Sequence, residues 1–342
     1  MNKLLTIIIP TYNMEKYLHK CLDSLIIDEE GMKQLEVLVI NDGSKDSSSQ
    51  IAHEYQDKYP ETFRVIDKEN GNYGSCINRG LKEATGKYVK VLDADDSYRT
   101  EVLEEFVRII ENVDTDLFVS PFDIVNDSGE ITRTHTYELE PNCINCLDEF
   151  IDSKLQKLEM HAVTYRRSIF DQLEYHQTEG ISYTDQEWVF LPVTQVENFY
   201  YFNKCIYKYF VGREGQTVSS TVANKSICHR IIGGSTMLTE YNKYVDNVSE
   251  PKRRYLYSKL FLRIESFYRQ IIVYDKDSKM LMEYDKSLRE ANEKIWDEIQ
   301  LLSYGVFKWR YVKEWRLNHY KIKRPAYVKI FLFFSSLKRM AN

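Results

Sequence analysis

The 342 residues suffice for one large domain with an accessory region, or for two ordinary domains. Apolar residues at 43% and charged residues at 29% make an ordinary globular mixture with no internal repeat or low-complexity tract. The net charge of −6 splits into +9 over residues 306–342 and −15 over the rest, which argues against general nucleic-acid binding by the acidic body.

In chain order, Leu4 to Ile9 is a continuous apolar, β-branched run closed by Pro10. It predicts a central parallel strand buried on both faces. Pro10-Thr11-Tyr12-Asn13 follows as a loop, and Tyr17, Leu18, Cys21, Leu22 and Leu25 mark one face of a helix over 15–27. Leu35 to Ile40 predicts a second strand ending in Asn41-Asp42-Gly43-Ser44. Asp46 caps the helix that runs on to Tyr59. Phe63 to Ile66 is a third strand, and Asn70 to Ser75 is a glycine-bearing loop entering a helix that ends near Gly86. Lys87 to Leu92 is a short strand that runs straight into Asp93, Asp95 and Asp96. Thr100 caps a helix over 101–111, and Leu117 to Pro121 is another strand. Asp127-Ser128-Gly129 turns a hairpin with arms 122–126 and 130–137.

This alternation predicts a doubly wound α/β sheet with right-handed crossovers. A mixed region follows, with a helix over 147–155, a strand over 162–166, a helix over 187–195 and strands within 199–211. From Asn224 the patterns are long and helical, over 226–246, 252–273 and 287–302. A boundary near Ala223 divides a domain of residues 1–223 from a helical region, 224–342. The six cysteines lack framework spacing, and Cys143 with Cys146 has no second pair to complete a zinc site; reduced cytosolic thiols are the expectation. The chain enters a strand pattern at once, without a signal peptide, and no apolar run reaches the roughly 18 residues of a membrane span.

Three like charges within Asp93, Asp95 and Asp96 need a cation or full solvation. An open α/β sheet binds its ligands at strand carboxyl ends. A hard divalent ion carrying a substrate diphosphate suits that place, whereas a solvated acidic turn is the plain alternative. One sheet edge also gathers the loops at Thr11, Asp42 and Asn70.

Taken in order, Ile9-Pro10-Thr11-Tyr12-Asn13, Asn41 to Asp46, Asn70-Gly71, Asn78-Arg79-Gly80 and Leu92 to Asp96 resemble the ordered signatures of the family 2 glycosyltransferases. The resemblance is dense over about the first hundred residues. It implies the GT-A fold, an α/β class with a doubly wound, mixed and mainly parallel sheet, and inverting, metal-dependent transfer from a nucleotide sugar. Asp42 resembles the base-reading aspartate, whose carboxylate accepts the N3–H of uracil and so favours UDP-sugars; an Asx-turn is open to the same side chain. Pro10, Thr11 and Tyr12 resemble the loop that packs on the nucleobase, with Tyr12 offering a face to stack. Asn70, Asn78, Asp93 and Ala94 join the nucleotide site by the same resemblance. Asp95, with Asp93, is the implied holder of Mn²⁺ or Mg²⁺. Asp96 is either a helix cap or a support for those ligands.

The sequence departs from the common pattern at Asn41, where an aspartate is frequent, and at Ile77, where an arginine often reaches a phosphate. The phosphate contact then falls to Arg79, Lys82 or a helix N-terminus. Inversion needs a general base, and Tyr183 to Trp188 resembles the segment that carries it. Asp185 is the implied base, with Glu187 the alternate and a capping role the plain reading. Trp188 belongs either to an acceptor floor or to the core. Gly212 to Ser219 resembles a segment that closes over the donor in relatives, with Arg213 on the diphosphate or on an ordinary surface loop. His229 is a third candidate metal ligand, set against a packed or solvated helix histidine.

In the tail, Phe307, Trp309, Tyr311 and Trp315 lie among lysines and arginines, and Tyr327 to Leu337 is almost wholly apolar. Such a segment suits the headgroup region of an anionic membrane; docking on the protein's own core or on a second subunit is the alternative. The expectation is a cytoplasmic enzyme, peripheral at the inner face of the cell membrane, that extends a surface glycan, with a lipid-linked acceptor fitting that place. Two rivals are a nucleotidyltransferase on a related sheet and a catalytically degenerate binding module.

Overall fold

The computed structural model describes residues 3–212, 227–274 and 278–340. Strand β1 (Leu5–Thr11) is buried at every position, as an apolar run covered on both faces requires. It pairs in parallel with β2 (Leu35–Asn41), Ile7 opposite Val37, and with β4 (Tyr88–Val91), Ile7 opposite Lys90. β3 (Phe63–Asp67) continues the parallel part beyond β2. The remaining strands are β6 (Leu117–Val119), β9 (Ile144–Cys146), β10 (Val163–Arg166) and β11 (Asn198–Tyr201). The order is β3-β2-β1-β4-β10-β6-β11-β9, with β10 antiparallel to both neighbours and β9 antiparallel to β11. The sheet is therefore mixed and mainly parallel. A smaller sheet orders β5 (Ser97–Tyr98), β12 (Tyr207–Phe210), β7 (Phe122–Val125) and β8 (Ile131–His135).

Several boundaries differ from expectation for identifiable reasons. β1 runs past Pro10 to Thr11, because Asp42 N donates to Thr11 O at 2.8 Å and keeps the ladder going. The first helix is only Leu18–Asp23. Ahead of it, Glu15 trades bonds with Asp46 and Ser47, and side chains that bind backbone compete with helix. α4 (Asn72–Glu83) begins within the expected loop, so Tyr73, Gly74 and Ser75 are helical. Thr100 is the first residue of its helix (Thr100–Asn112) rather than its cap, and its hydroxyl donates to Ser24 O. The expected helix over 147–155 is a 3₁₀ turn, Leu147–Glu149. The one over 187–195 is the single turn α7 (Asp185–Trp188), and Pro192 lets only a 3₁₀ turn follow (Pro192–Gln195). The pattern over 287–302 splits into Lys279–Ala291 and Glu293–Ile299, where Asn292 takes an extended backbone and its side chain accepts Ile295 N at 3.1 Å.

The chain divides into two compact units, Met1–Ser219 with Val248–Tyr255, and Ser220–Asn247 with Leu256–Asn342. The expected boundary at Ala223 and the candidate Arg213 lie outside the described residues. In the second unit the tail is not uniformly a surface element. Trp309, Tyr311 and Trp315 are buried, because their rings complete the helical core. Val306, Phe307, Ile330, Phe331, Phe333 and Phe334 remain exposed. Phe307 packs on Tyr327, ring centroids 4.9 Å apart, at the start of the helix Ala326–Met340. No helix among the described residues is long and apolar enough to cross a membrane.

Candidate functional site

Within the first unit, the ends of β1 and β4, the start of α4 and the segment 182–185 surround a cleft of about 260 Å³. Pro10, Asp93, Ala94, Asp95 and Asp185 line it together, and so do Asn72, Tyr73, Met160, His161, Tyr183 and Tyr209. Asn72 (φ 66°) and Tyr183 (φ 67°) hold left-handed backbone, a conformation that gathers at ligand sites when a side chain adopts it.

The carboxylates are held by tyrosines. Tyr73 Oη donates to Asp93 Oδ1 at 2.8 Å. Asp93 N donates to Tyr207 Oη, which donates in turn to Asp96 Oδ2 at 2.6 Å. The other Asp96 oxygen accepts Phe210 N at 2.7 Å. Asp96 is thus a buried anchor between the acidic loop and β12, not a helix cap. Burial, then the charges of Asp95 and Asp93, push its carboxyl well above the usual range. Burial pushes the Tyr73 hydroxyl up as well, with Asp93 and then Asp185 adding to it.

Beneath this loop lies Lys90, fully buried on β4, and among the described residues no carboxylate pairs with its ammonium. Its Nζ donates to His161 O at 2.9 Å and Val163 O at 3.0 Å. Burial pulls it down to about 7. His161 is 7% exposed among Phe122, Tyr207 and Tyr209, and its Nδ1 makes no hydrogen bond. Burial, then Lys90, pulls the imidazole down to about 3, so it is neutral. Among the described residues, one oxygen each of Asp93 and Asp96 and a ring nitrogen of His161 lie within 4.8 Å of one another. Two carboxylates and a neutral imidazole are a donor set that fits a divalent cation, and Asp95 faces the same cleft.

The expected nucleotide residues divide. Thr11 is buried and its hydroxyl donates to Ile9 O, whereas Tyr12 is 45% exposed. Asp42 is buried; its Oδ1 accepts Lys68 Nζ at 2.5 Å and Gly71 N at 2.9 Å. Asn70 Nδ2 donates to Asp42 O and closes this loop. Asn78 lines a separate depression of about 480 Å³ with Lys68, Arg79, Lys82 and His176. Its amide exchanges bonds with the Gln177 backbone, Nδ2 to O at 2.9 Å and N to Oδ1 at 2.8 Å, so it clamps one segment to another. Arg79 pairs with Glu83.

That clamped segment leads to the candidate base. Gln177 Nε2 donates to Thr184 O and Oγ1, and Gly180 N donates to Gly71 O. Gly74 of α4 lies so close that a Cβ there would sit 2.1 Å from Thr178 O. Asp185 begins α7, with Gln186 Nε2 at 3.0 Å from its Oδ2. Glu187, the alternate base, is buried, and its Oε2 accepts Thr178 N at 2.8 Å. Trp188 stacks on Phe170 in the core, centroids 4.7 Å apart. His229 lies on the helix Ile227–Tyr244 of the second unit.

Sequence reasoning missed Tyr73, Lys90, His161, Tyr207 and Tyr209. Lys90 alone carried a signal, a charge inside an apolar strand; the rings come from segments whose meeting only the topology decides.

The sequence model for "Glycosyl transferase family 2" matches residues 6–174. Glycosyltransferase GlyA of Streptococcus pneumoniae is 26% identical over 74% of this chain and 36% of its own length. Minor teichoic acid biosynthesis protein GgaB of Bacillus subtilis is 27% identical over 65% of this chain and 24% of its own. The chain thus covers well under half of these two relatives. The structure of residues 1–349 of S. aureus TarS with UDP-GlcNAc superposes with a TM-score of 0.58, covering 92% of both chains at 18% identity, and shares the GT-A fold. Residues 6–174, which supply most of the acidic cleft, are thus a glycosyl transferase family 2 domain.

Proposed function

We propose that the protein moves a hexosyl or N-acetylhexosaminyl group from a nucleotide sugar, UDP-linked by preference, to a hydroxyl of a growing cell-surface glycan, with inversion. The observation that carries this reading is the meeting of Asp93, Asp95 and Asp185, from distant parts of the chain, around one cleft. Asp185 takes the proton of the acceptor hydroxyl as that oxygen attacks the anomeric carbon opposite the diphosphate. The bond to the diphosphate breaks as the new glycosidic bond forms. A bound Mn²⁺ or Mg²⁺ supplies charge neutralisation for the departing diphosphate, and Asp93 and Asp95 are the residues assigned to hold it. The UDP-GlcNAc bound by TarS supports the donor class, and the teichoic acid role in the name of GgaB supports the acceptor class. We assign catalysis to residues 1–223.

A thermal-shift panel of nucleotide sugars with Mn²⁺ tests this. UDP-sugars raise the melting temperature and undergo slow metal-dependent hydrolysis, and Asp95→Ala abolishes the hydrolysis. Full metal-dependent transfer by Asp95→Ala protein would overturn the reading.

For residues 224–342 we propose attachment to the cytoplasmic face of an anionic membrane. Support comes from the exposed Phe307, Ile330, Phe331 and Phe334 beside Lys329, in a stretch with ten basic residues and one acid. Each inserted ring contributes about 1.5–3 kcal/mol. The double substitution Phe331→Ser with Phe334→Ser therefore cuts binding to phosphatidylglycerol vesicles by tenfold or more in sedimentation. Unchanged sedimentation, or a stable dimer lost with the same substitutions, would count against a membrane partner.

A further inference from the structure

We propose that His161 is a nitrogen ligand of the divalent cation held at Asp93. This extends the metal-dependent reading above and rests on it.

His161 stands on the 3₁₀ turn Met160–Ala162 just before β10, and it lines the cleft beside Asp93. Among the described residues its Nδ1 has no hydrogen-bond partner, and Glu159 Oε2 stands 3.8 Å from it. A buried polar atom without a partner costs stability, and a bound ion is one remedy. The ring is fixed from three sides by Phe122, Tyr207 and Tyr209, with centroids 4.9, 4.8 and 4.4 Å away. Its carbonyl is fixed by Lys90 Nζ at 2.9 Å. Such restraint of a side chain facing a cleft is what a ligand needs.

The distances agree. Ligand atoms around a small octahedral ion stand roughly 3–4.2 Å apart. The Asp93, Asp96 and His161 atoms lie within 4.8 Å of one another, so a small contraction closes the set. Asp93 and Asp96 are already oriented by Tyr73, Tyr207 and Phe210 N, the outer hydrogen bonding that ligating carboxylates ordinarily have. An imidazole ligand also sets the ion preference. Mg²⁺ takes oxygen ligands and dehydrates reluctantly, whereas nitrogen donors suit transition metals. The site therefore favours Mn²⁺ over Mg²⁺.

The test uses the full-length protein with one equivalent of Mn²⁺ and no nucleotide. Electron spin-echo spectra of the native protein contain ¹⁴N modulation from one directly bound imidazole. His161→Phe keeps the ring packing and removes the modulation. The same substitution lowers Mn²⁺ affinity by about tenfold or more, while Mg²⁺ affinity moves by less than about threefold, since an oxygen-preferring ion loses little with the nitrogen. Native protein without ¹⁴N modulation overturns the inference directly, even if His161→Phe fails to fold. Modulation that persists in His161→Phe assigns the signal to another of the seven histidines and also overturns it. In either case Asp93→Asn separates the two levels. If Asp93→Asn abolishes Mn²⁺ binding and transfer, the metal-dependent reading stands without His161; if it leaves both intact, that reading fails as well.

Discussion

Asp185→Asn lowers the turnover number for sugar transfer by about 10²–10⁴-fold while leaving the donor dissociation constant unchanged, because general-base assistance is what the amide cannot supply. The substitution is nearly isosteric, and the fold tolerates it. Asp185 is the first residue of α7, whose cap Thr184 makes no side-chain capping bond, and its Oδ2 accepts the neighbouring Gln186 Nε2 at 3.0 Å. Single-turnover rates with saturating donor, set beside donor binding by calorimetry, read the two quantities separately. A rate within about threefold of native would remove Asp185 from the chemistry, since a positioned base contributes far more than that. Glu187→Gln is the informative contrast. That acid accepts Thr178 N in a buried place, so its loss shows as lowered stability with little change in the rate of folded enzyme.

Arg316→Met destabilises the second unit by about 3–5 kcal/mol, the usual consequence of stranding a buried charge. Asp285 is fully buried, and its Oδ1 accepts Arg316 Nε at 3.0 Å, Arg316 Nη2 at 2.6 Å and Tyr268 Oη at 2.6 Å. Its Oδ2 accepts Trp296 Nε1 at 3.1 Å. The guanidinium lies 3.9 Å from the Trp296 ring centroid and also donates to Trp296 O. Without it, only neutral donors face the carboxylate. The double substitution Asp285→Leu with Arg316→Met recovers much of the loss, since a hydrophobic pair of similar volume needs no charge compensation. Urea unfolding of the three variants, followed by tryptophan fluorescence, measures the coupling. Equal losses in the single and double variants would mean the charge pair is not the cause.

The parts of this molecule that were legible in the sequence are those set by local pattern. The apolar runs at β1, β2 and β4 need no partner to be recognised, since a strand buried on both faces has no polar side to hide. The acidic loop was legible because three carboxylates follow such a run directly. Pattern failed where one residue outweighed its neighbours. Pro192 truncates the helix at α7, Asn292 breaks a long helix in two, and the Glu15 side chain unmakes a turn. It failed more deeply for the site. Tyr73, His161 and Tyr207 acquire meaning only beside Asp93, and nothing within a few residues of each marks that meeting. The tail was legible only in part, for a third reason. Trp309 and Arg316 look alike on paper to residues of a membrane face, yet their polar groups find partners within the protein, Trp309 Nε1 on Glu314 and the Arg316 guanidinium on the buried Asp285.

Gly74 has a consequence for the size of molecule this enzyme admits. The helix that bears Tyr73 and the strand of backbone that ends in Asp185 touch main chain to main chain at that glycine, with a hydrogen atom as the only spacer. The gap between the acidic loop and Asp185 is therefore gauged by a missing methyl group. On the proposed roles, a larger residue there would drive the two walls apart and admit bulkier alcohols, while leaving the attacking oxygen farther from Asp185.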